Sequence, residues 1–86
     1  MRVLIPSQLR SYTSGAAEID ASGATLAELF ENINHEHRGL RFRIIDEQDR
    51  VRRHIRIFVN REEVRDLEHT LSPSDEVQIV GALTGG

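Results

Sequence analysis

The sequence lacks cysteine altogether, so it has no disulfide, no thiolate metal ligand and no thiol nucleophile. Lysine is also absent: all eleven basic side chains are arginine, and the N-terminus is the only amine. No apolar run is long enough for a membrane-spanning helix or for the core of a signal peptide. These absences predict a cytoplasmic protein that does not associate with membranes. If the protein handles sulfur, the sulfur cannot sit on a side-chain thiol.

The size and charge of the chain limit the function further. Its 86 residues are 38% hydrophobic and 29% charged, which is typical of one globular domain spanning residues 1–86. The formal net charge of −3 argues against general nucleic-acid binding, which usually requires a basic surplus. We expect a single domain that is monomeric when free and binds no nucleic acid.

The sequence ends in two glycines, although only six of its 86 residues are glycine. Two residues without side chains form the thinnest and most flexible end that a polypeptide can offer. We predict a flexible tail over residues 81–86 that can enter a narrow active site and present the terminal carboxylate of Gly86 there. The alternative is an ordinary frayed terminus.

Alternating apolar and polar residues predict the strands, because successive side chains of a strand point to opposite faces. Pro6 ends the first strand, and a polar, turn-rich stretch over residues 7–15 joins the first two strands into a hairpin. A very short additional strand is predicted at Val64-Arg65. The main strands are predicted at residues 2–6, 17–21, 54–60 and 76–80.

One helix is predicted over residues 26–37. Thr25 and Glu28 have the spacing of a capping box, and Gly39 is suited to the position just after the helix. Residues 40–53 show no clean period, and 46–53 reads as a charged loop. The apolar stripe of the helix comprises Leu26, Leu29, Phe30 and Ile33.

This order of elements, with a hairpin followed by a helix and further strands, is that of the β-grasp or ubiquitin-like fold. We predict an α+β domain with a mixed sheet of 4–5 strands and one main helix packed across one face. The first and last strands would run parallel in the centre. Leu67 and Leu71 would fill the core from a loop. The helix stripe would meet Val3, Ile5, Ile57, Val77 and Ile79.

Several short motifs follow one another along the chain: Val3-Leu4-Ile5-Pro6, Leu9-Arg10, Ala21-Ser22-Gly23-Ala24-Thr25-Leu26, Ile57-Phe58-Val59-Asn60, Val64, Leu71, Asp75-Glu76-Val77 and Gly85-Gly86. In these motifs and their order, the chain resembles the MoaD/ThiS-type ubiquitin-like sulfur carriers over essentially its whole length. The subgroup that it most resembles is the actinobacterial carrier that supplies sulfur for cysteine biosynthesis. It departs from the family at Gly81, where proline often follows the last strand, and the glycine predicts a more flexible start of the tail.

The resemblance implies a function at the C-terminus. In this family a ubiquitin-activating-like adenylyltransferase and sulfurtransferase uses ATP to adenylate the terminal carboxylate, which then becomes a thiocarboxylate. Carried over to this chain, Gly86 is the reacting residue, and Leu83, Thr84 and Gly85 are the segment that enters the partner's active site. The carrier binds no cofactor itself. A second enzyme, similar to cysteine synthase or to the large subunit of molybdopterin synthase, would accept the sulfur.

A docking face can be predicted from the strand pattern. Leu4, Phe58 and Val80 point away from the predicted core on strands that lie side by side, and Leu83 follows on the tail. Apolar groups that form one exposed patch usually mark an interaction site. We expect this patch to dock the activating enzyme; the alternative is that these are scattered surface apolar residues, which are common.

Other chemistry finds little support in the sequence. His35 and His37 are two residues apart and would point to different sides of the helix, so no metal site is expected. No Ser-His-Asp or phosphate-binding motif occurs, so we expect a protein substrate of enzymes and not an enzyme. A non-covalent β-grasp interaction module and a protein modifier conjugated through Gly86 remain alternatives. The sequence also leaves open which product receives the sulfur: cysteine, molybdopterin, thiamin or thiolated tRNA.

Overall fold

A computed structural model describes residues 1–81; the predicted site residues Leu83, Thr84, Gly85 and Gly86 lie outside the described residues. The described part contains five strands, two α-helices and one 3-10 helix. The helices are the 3-10 helix Ser7–Thr13, α1 at Leu26–Glu36 and α2 at Leu40–Ile44. The strands are β1 at Arg2–Leu4, β2 at Glu18–Asp20, β3 at Ile55–Val59, β4 at Glu62–Glu63 and β5 at Glu76–Gly81.

The strands form one sheet in the order β2-β1-β5-β3-β4. β1 and β5 are parallel, with Val3 opposite Val77, and the other neighbouring pairs are antiparallel. The parallel pairing of the first and last strands at the centre of a mixed sheet confirms the predicted ubiquitin-like β-grasp. β1 ends two residues earlier than predicted, and β2 and β3 are each one residue shorter than predicted at both ends.

Helix α1 begins where the capping box predicted. The Thr25 side chain accepts a hydrogen bond from the Glu28 backbone N–H at 3.2 Å, which satisfies one of the free N–H groups of the first turn. The Glu28 carboxylate accepts from the backbone N–H of Ala24 at 2.8 Å and closes the cap from the other side. The apolar stripe of α1 is buried, as its period predicted.

The core lies between α1 and one face of the sheet. Every residue predicted to meet there is buried, including Val3, Ile5, Ile57, Val77 and Ile79. Leu67 and Leu71 are half-buried against the same cluster, which confirms the prediction that they fill the core from a loop. The stretch over residues 40–53, which showed no clear period, adds four buried residues: Leu40, Ile44, Ile45 and Val51.

Two helical turns were not predicted. The 3-10 helix replaces the expected loop over residues 7–15 and buries Leu9 and Thr13. Helix α2 follows Gly39, which has a φ of 93° and lies before α2 instead of directly after α1. Both helices are too short to show the 3.6-residue period from which longer helices are recognised.

The prediction of a short strand at Val64-Arg65 was wrong in position. Asn60 and Arg61 form a tight turn with positive φ values of 50° and 74°, so the chain reverses immediately after β3 and pairs at Glu62–Glu63. Val64 follows the strand, donates its N–H to the Ile57 carbonyl and is buried. β5 extends to Gly81, one residue beyond the predicted end.

Candidate functional site: the open face of the sheet and the end of β5

Leu4, Phe58 and Val80 lie on the face of the sheet that points away from the core, which we call the open face. Each alternates along its strand with buried residues: Leu4 follows Val3, and Phe58 follows Ile57. All three are half-buried. The structure thus brings the three predicted docking residues to one face.

The strand register separates these residues by a polar side chain. Leu4 on β1 and Phe58 on β3 both lie opposite Gln78, because β5 runs between the two strands. Gln78 is exposed, whereas Val80 lies two residues further along β5, opposite Arg56. The predicted docking face is therefore three apolar groups arranged around one amide, and not an uninterrupted apolar patch. Alternation placed Gln78 on this face, but only the register put it in the middle.

Ion pairs lie on the open face next to the apolar residues. Arg2 contacts Glu18 at 3.0 Å and Glu76 at 3.2 Å, and Arg56 contacts Glu63 at 4.0 Å. All of these side chains are well exposed, so each pair contributes little to folding stability. They give the surroundings of the apolar groups a mixed charge that a binding partner would meet.

An open groove of about 480 Å³ lies at the end of β5. It is bounded by Gly81, the last residue of β5. Two of the predicted docking residues are among its walls, which connects the open face with the base of the tail. The groove is lined by Leu4, Pro6, Gln8, Gln78, Val80 and Gly81, among others.

One exposed aromatic residue escaped the sequence analysis. Phe42 on α2 is 54% exposed and lies under the guanidinium of Arg52, 4.5 Å from the ring centroid. α2 contacts α1 and the 3-10 helix, so Phe42 belongs to the helical side of the domain and not to the open face. The irregular pattern of residues 40–53 gave no signal for its exposure.

Two carboxylates of the described residues, those of Asp46 and Asp75, are held by backbone N–H groups. The backbone N–H of Arg50 holds the pKa of Asp46 below its ordinary value of 3.8, and the backbone N–H of Ser72 does the same for Asp75. Within residues 1–81 no three His, Asp or Glu side chains are grouped closely enough to hold a metal ion. No helix in this part of the chain is long and apolar enough to cross a membrane.

The central parallel strands, the helix across one face and the open face on the other place this molecule in the class of small ubiquitin-like proteins. The model of the ThiS family matches residues 3–86, and the chain belongs to that family of sulfur carriers. Sulfur carrier proteins are not enzymes themselves.

Individual relatives agree with the family assignment. The sulfur carrier protein CysO of Mycobacterium tuberculosis (strain ATCC 25618 / H37Rv) is 33% identical over 89 residues, which is 98% of this chain and 96% of that protein. The crystal structure of Mycobacterium tuberculosis CysO has a TM-score of 0.89 at 31% identity, over 95% of this chain and 98% of that one. The crystal structure of the Amycolatopsis orientalis BexX/CysO complex has a TM-score of 0.92 at 34% identity, over 99% of this chain and 98% of the matched chain.

Proposed function

We propose that this protein carries sulfur as a thiocarboxylate on Gly86. The observation that supports this proposal most directly is that the family match extends to residue 86 and so includes both terminal glycines. In this proposal, Gly85 and Gly86 have no side chains and so leave room for a partner enzyme to close around the reacting carboxylate. Leu83 and Thr84 form the rest of the segment that enters that enzyme.

The chemistry requires ATP because a free carboxylate is a poor electrophile. Attack of the Gly86 carboxylate on the α-phosphate of ATP releases pyrophosphate and gives an acyl-adenylate, a mixed anhydride. A sulfur nucleophile at the sulfide level then attacks the acyl carbon and AMP leaves, which replaces one carboxylate oxygen by sulfur. Neither step needs a thiol on the carrier, and the sequence has no cysteine. ATP is thus a substrate of the partner, an adenylyltransferase and sulfurtransferase.

We assign the sulfur to cysteine biosynthesis, with a cysteine-synthase-like enzyme as acceptor. The support is the similarity to the sulfur carrier protein CysO of Mycobacterium tuberculosis, at 33% identity over nearly the whole chain. Complex formation with a second protein is supported by the Amycolatopsis orientalis structure, in which CysO is in complex with BexX. The large subunit of molybdopterin synthase is the alternative acceptor.

We also propose that the activating enzyme docks on the open face. Leu4, Phe58 and Val80 are half-buried, so each offers apolar surface that a partner can cover. Leu4 and Val80 also line the groove at the end of β5. A partner bound there would be next to the start of the tail and could receive Gly86 without moving the domain.

The proposed carrier role is tested by intact-protein mass spectrometry. The chain is incubated with ATP, a sulfide source and the activating enzyme of its own organism, beside a variant that lacks Gly85 and Gly86. We expect a mass gain equal to replacing one oxygen by sulfur, in the full-length chain alone. No gain with an enzyme that is active on another carrier would overturn the proposal in favour of a non-covalent interaction module. Attachment to a partner's lysine would instead indicate a protein modifier.

Phe58→Asp tests the docking face, with Phe42→Asp as a matched control. Both variants replace a phenylalanine by a carboxylate, but Phe42 lies on the helical side. We expect Phe58→Asp to reduce kcat/KM of activation at least a hundredfold, because a carboxylate must be desolvated at the interface. Phe42→Asp should leave activation within about threefold of wild type. Equal activity of the two variants, with both shown to be folded by circular dichroism, would contradict the assignment.

A further inference from the structure

The side chain of Gln8 forms a hydrogen bond with the end of β5. Its Nε2 donates to the Gly81 carbonyl oxygen at 3.1 Å, across 73 residues of sequence. Gln8 lies on the 3-10 helix that follows β1, and Gly81 is the last residue of β5 and of the described chain. This contact is therefore made at the base of the tail that leads to Gly86.

The sheet itself cannot satisfy this carbonyl. The N–H and C=O groups of successive residues in a strand point alternately to its two neighbouring strands. Asn60 donates its N–H to the Glu76 carbonyl, so the N–H and C=O groups of Glu76 and of every second residue after it point to β3. The N–H and C=O groups of Ile79 and Gly81 therefore point to the opposite side, towards β1. β1 ends at Leu4, which is opposite Gln78. The last residues of β5 extend beyond the end of their parallel neighbour.

Pro6 is the reason that the parallel pairing stops. The next residue of β1 to face β5 after Leu4 would be Pro6, which has no N–H, and its carbonyl accepts from the Leu9 N–H at 3.0 Å. If the parallel hydrogen bonds between β1 and β5 had continued, the backbone N–H of residue 8 would have donated to the carbonyl oxygen of Gly81. The chain instead turns into the 3-10 helix, and the side-chain amide of the same residue makes that bond.

Gly81 is suited to this contact. A Cβ atom at position 81 would lie 3.0 Å from Nε2 and 3.2 Å from Cδ of Gln8, closer than most Cβ contacts in proteins. The sequence predicted that Gly81 makes the start of the tail more flexible. In the structure, the missing side chain at position 81 also leaves space for the Gln8 amide next to the backbone.

We propose that Gln8 is a positioning residue that fixes the direction in which the backbone leaves β5 towards Gly86. This inference rests on the proposed carrier function. An enzyme that binds the open face receives the tail at the adjoining groove, which Gln8 and Gly81 both line. Holding the Gly81 peptide in one orientation increases the fraction of docked complexes in which Gly86 reaches the acyl-adenylate site. Gln8 should therefore affect kcat, whereas Phe58 affects docking and KM.

Gln8→Glu tests this role because it keeps the length of the side chain but replaces the donor amide by a carboxylate. We expect kcat for thiocarboxylate formation to fall about two- to tenfold with little change in KM, the range that one hydrogen bond provides. Gly81→Ala should have a similar effect, because its Cβ displaces the amide. Gln48→Glu is the control: it makes the same charge change on an exposed loop of the helical side and should leave kcat unchanged.

A second readout does not depend on activity. In the free protein, the backbone ¹⁵N heteronuclear NOE of Gly81 should decrease in Gln8→Glu, while that of Val77 in the middle of β5 stays the same. An unchanged NOE at Gly81, or kcat values equal to wild type in both Gln8→Glu and Gly81→Ala, would overturn the role of Gln8 alone. Failure of the wild-type chain to gain sulfur would overturn the carrier function and this role with it.

Discussion

The two faces of the sheet differ sharply although they are built from neighbouring residues. Ile57 and Phe58 are adjacent in β3, yet Ile57 is fully buried under α1 and Phe58 is half-buried on the open face. The covered face is entirely apolar in its centre, whereas the open face mixes apolar groups with Gln78 and exposed ion pairs. The period of two in a strand lets one sequence supply both faces.

If the activating enzyme docks on the open face as proposed, stability and recognition are supplied by different sides of the same strands. Burial of the covered face provides the main favourable term in folding. The open face retains partly exposed apolar surface at Leu4, Phe58 and Val80, which the proposed partner would cover. A substitution on either face should therefore affect one property far more than the other, and three tests examine whether this separation holds.

The largest difference is expected between Ile57→Asp and Phe58→Asp. An unpaired carboxylate at Ile57 would lie in a fully apolar core and should cost about 5 kcal/mol or more, which is enough to unfold a small domain. The same carboxylate at Phe58 remains in contact with water, and we expect a loss of about 1–2 kcal/mol from reduced apolar burial. Urea unfolding followed by circular dichroism measures both. Equal losses would show that the open face is as essential to folding as the covered face.

A smaller loss of folding stability is expected at acid pH, and it should come from carboxylates outside the covered face. The pKa of Asp75 is lowered because its carboxylate accepts from the Ser72 N–H at 2.8 Å and from the Asn60 side chain at 2.9 Å. The folded-state pKa is thus below the unfolded one. The stabilisation is present above the unfolded pKa and is lost as the pH falls through the folded value.

Asp75→Asn tests this linkage. Urea unfolding should show the variant to be less stable than wild type at pH 7. The difference in free energy of unfolding should disappear at a pH well below 3.8, the ordinary pKa of the carboxyl group. A difference that stays constant between these pH values would mean that Asp75 acts through its shape and not through its charge. The same comparison for Asp46→Asn should give a similar result, because the Arg50 and Gln48 N–H groups stabilise that carboxylate.

The smallest effect is expected from the ion pairs of the open face. Arg2→Gln removes the contacts with Glu18 and Glu76, but these side chains are exposed, so we expect a loss of less than about 1 kcal/mol that decreases further with salt. Arg38→Gln removes an exposed arginine outside the sheet and serves as the charge control. A loss from Arg2→Gln that exceeds the control and persists at high salt would give the open face a larger part in folding than we assign it.

Elements with a strong local signal could be predicted from the sequence. The capping box of Thr25 and Glu28 and the stripe of α1 placed the main helix to within one residue, and alternation found the strands that contain Ile57 and Val77. Elements without such a signal were missed. The 3-10 helix is too short to show a period, and the turn at Asn60 and Arg61 depends on positive φ values that arginine rarely adopts.

The residues of the candidate site also fall into two groups, those that a local sequence pattern could predict and those that it could not. Alternation placed Leu4, Phe58 and Val80 on one face, because side-chain direction within a strand is a local property. No local pattern singles out Gln78 or Gln8. The position of Gln78 between Leu4 and Phe58 depends on the register of three strands, which are separated by long stretches of chain.

By itself the sequence determined the lack of cysteine, the β-grasp order of elements and the core residues of α1 and the main strands. Only the tertiary structure decided which residues from distant parts of the chain meet. It put Gln78 among the apolar residues of the open face and joined Gln8 to Gly81 where Pro6 ends the parallel pairing. The reason is physical: propensity and alternation act over a few neighbouring residues, whereas strand register is fixed by the packing of the whole core.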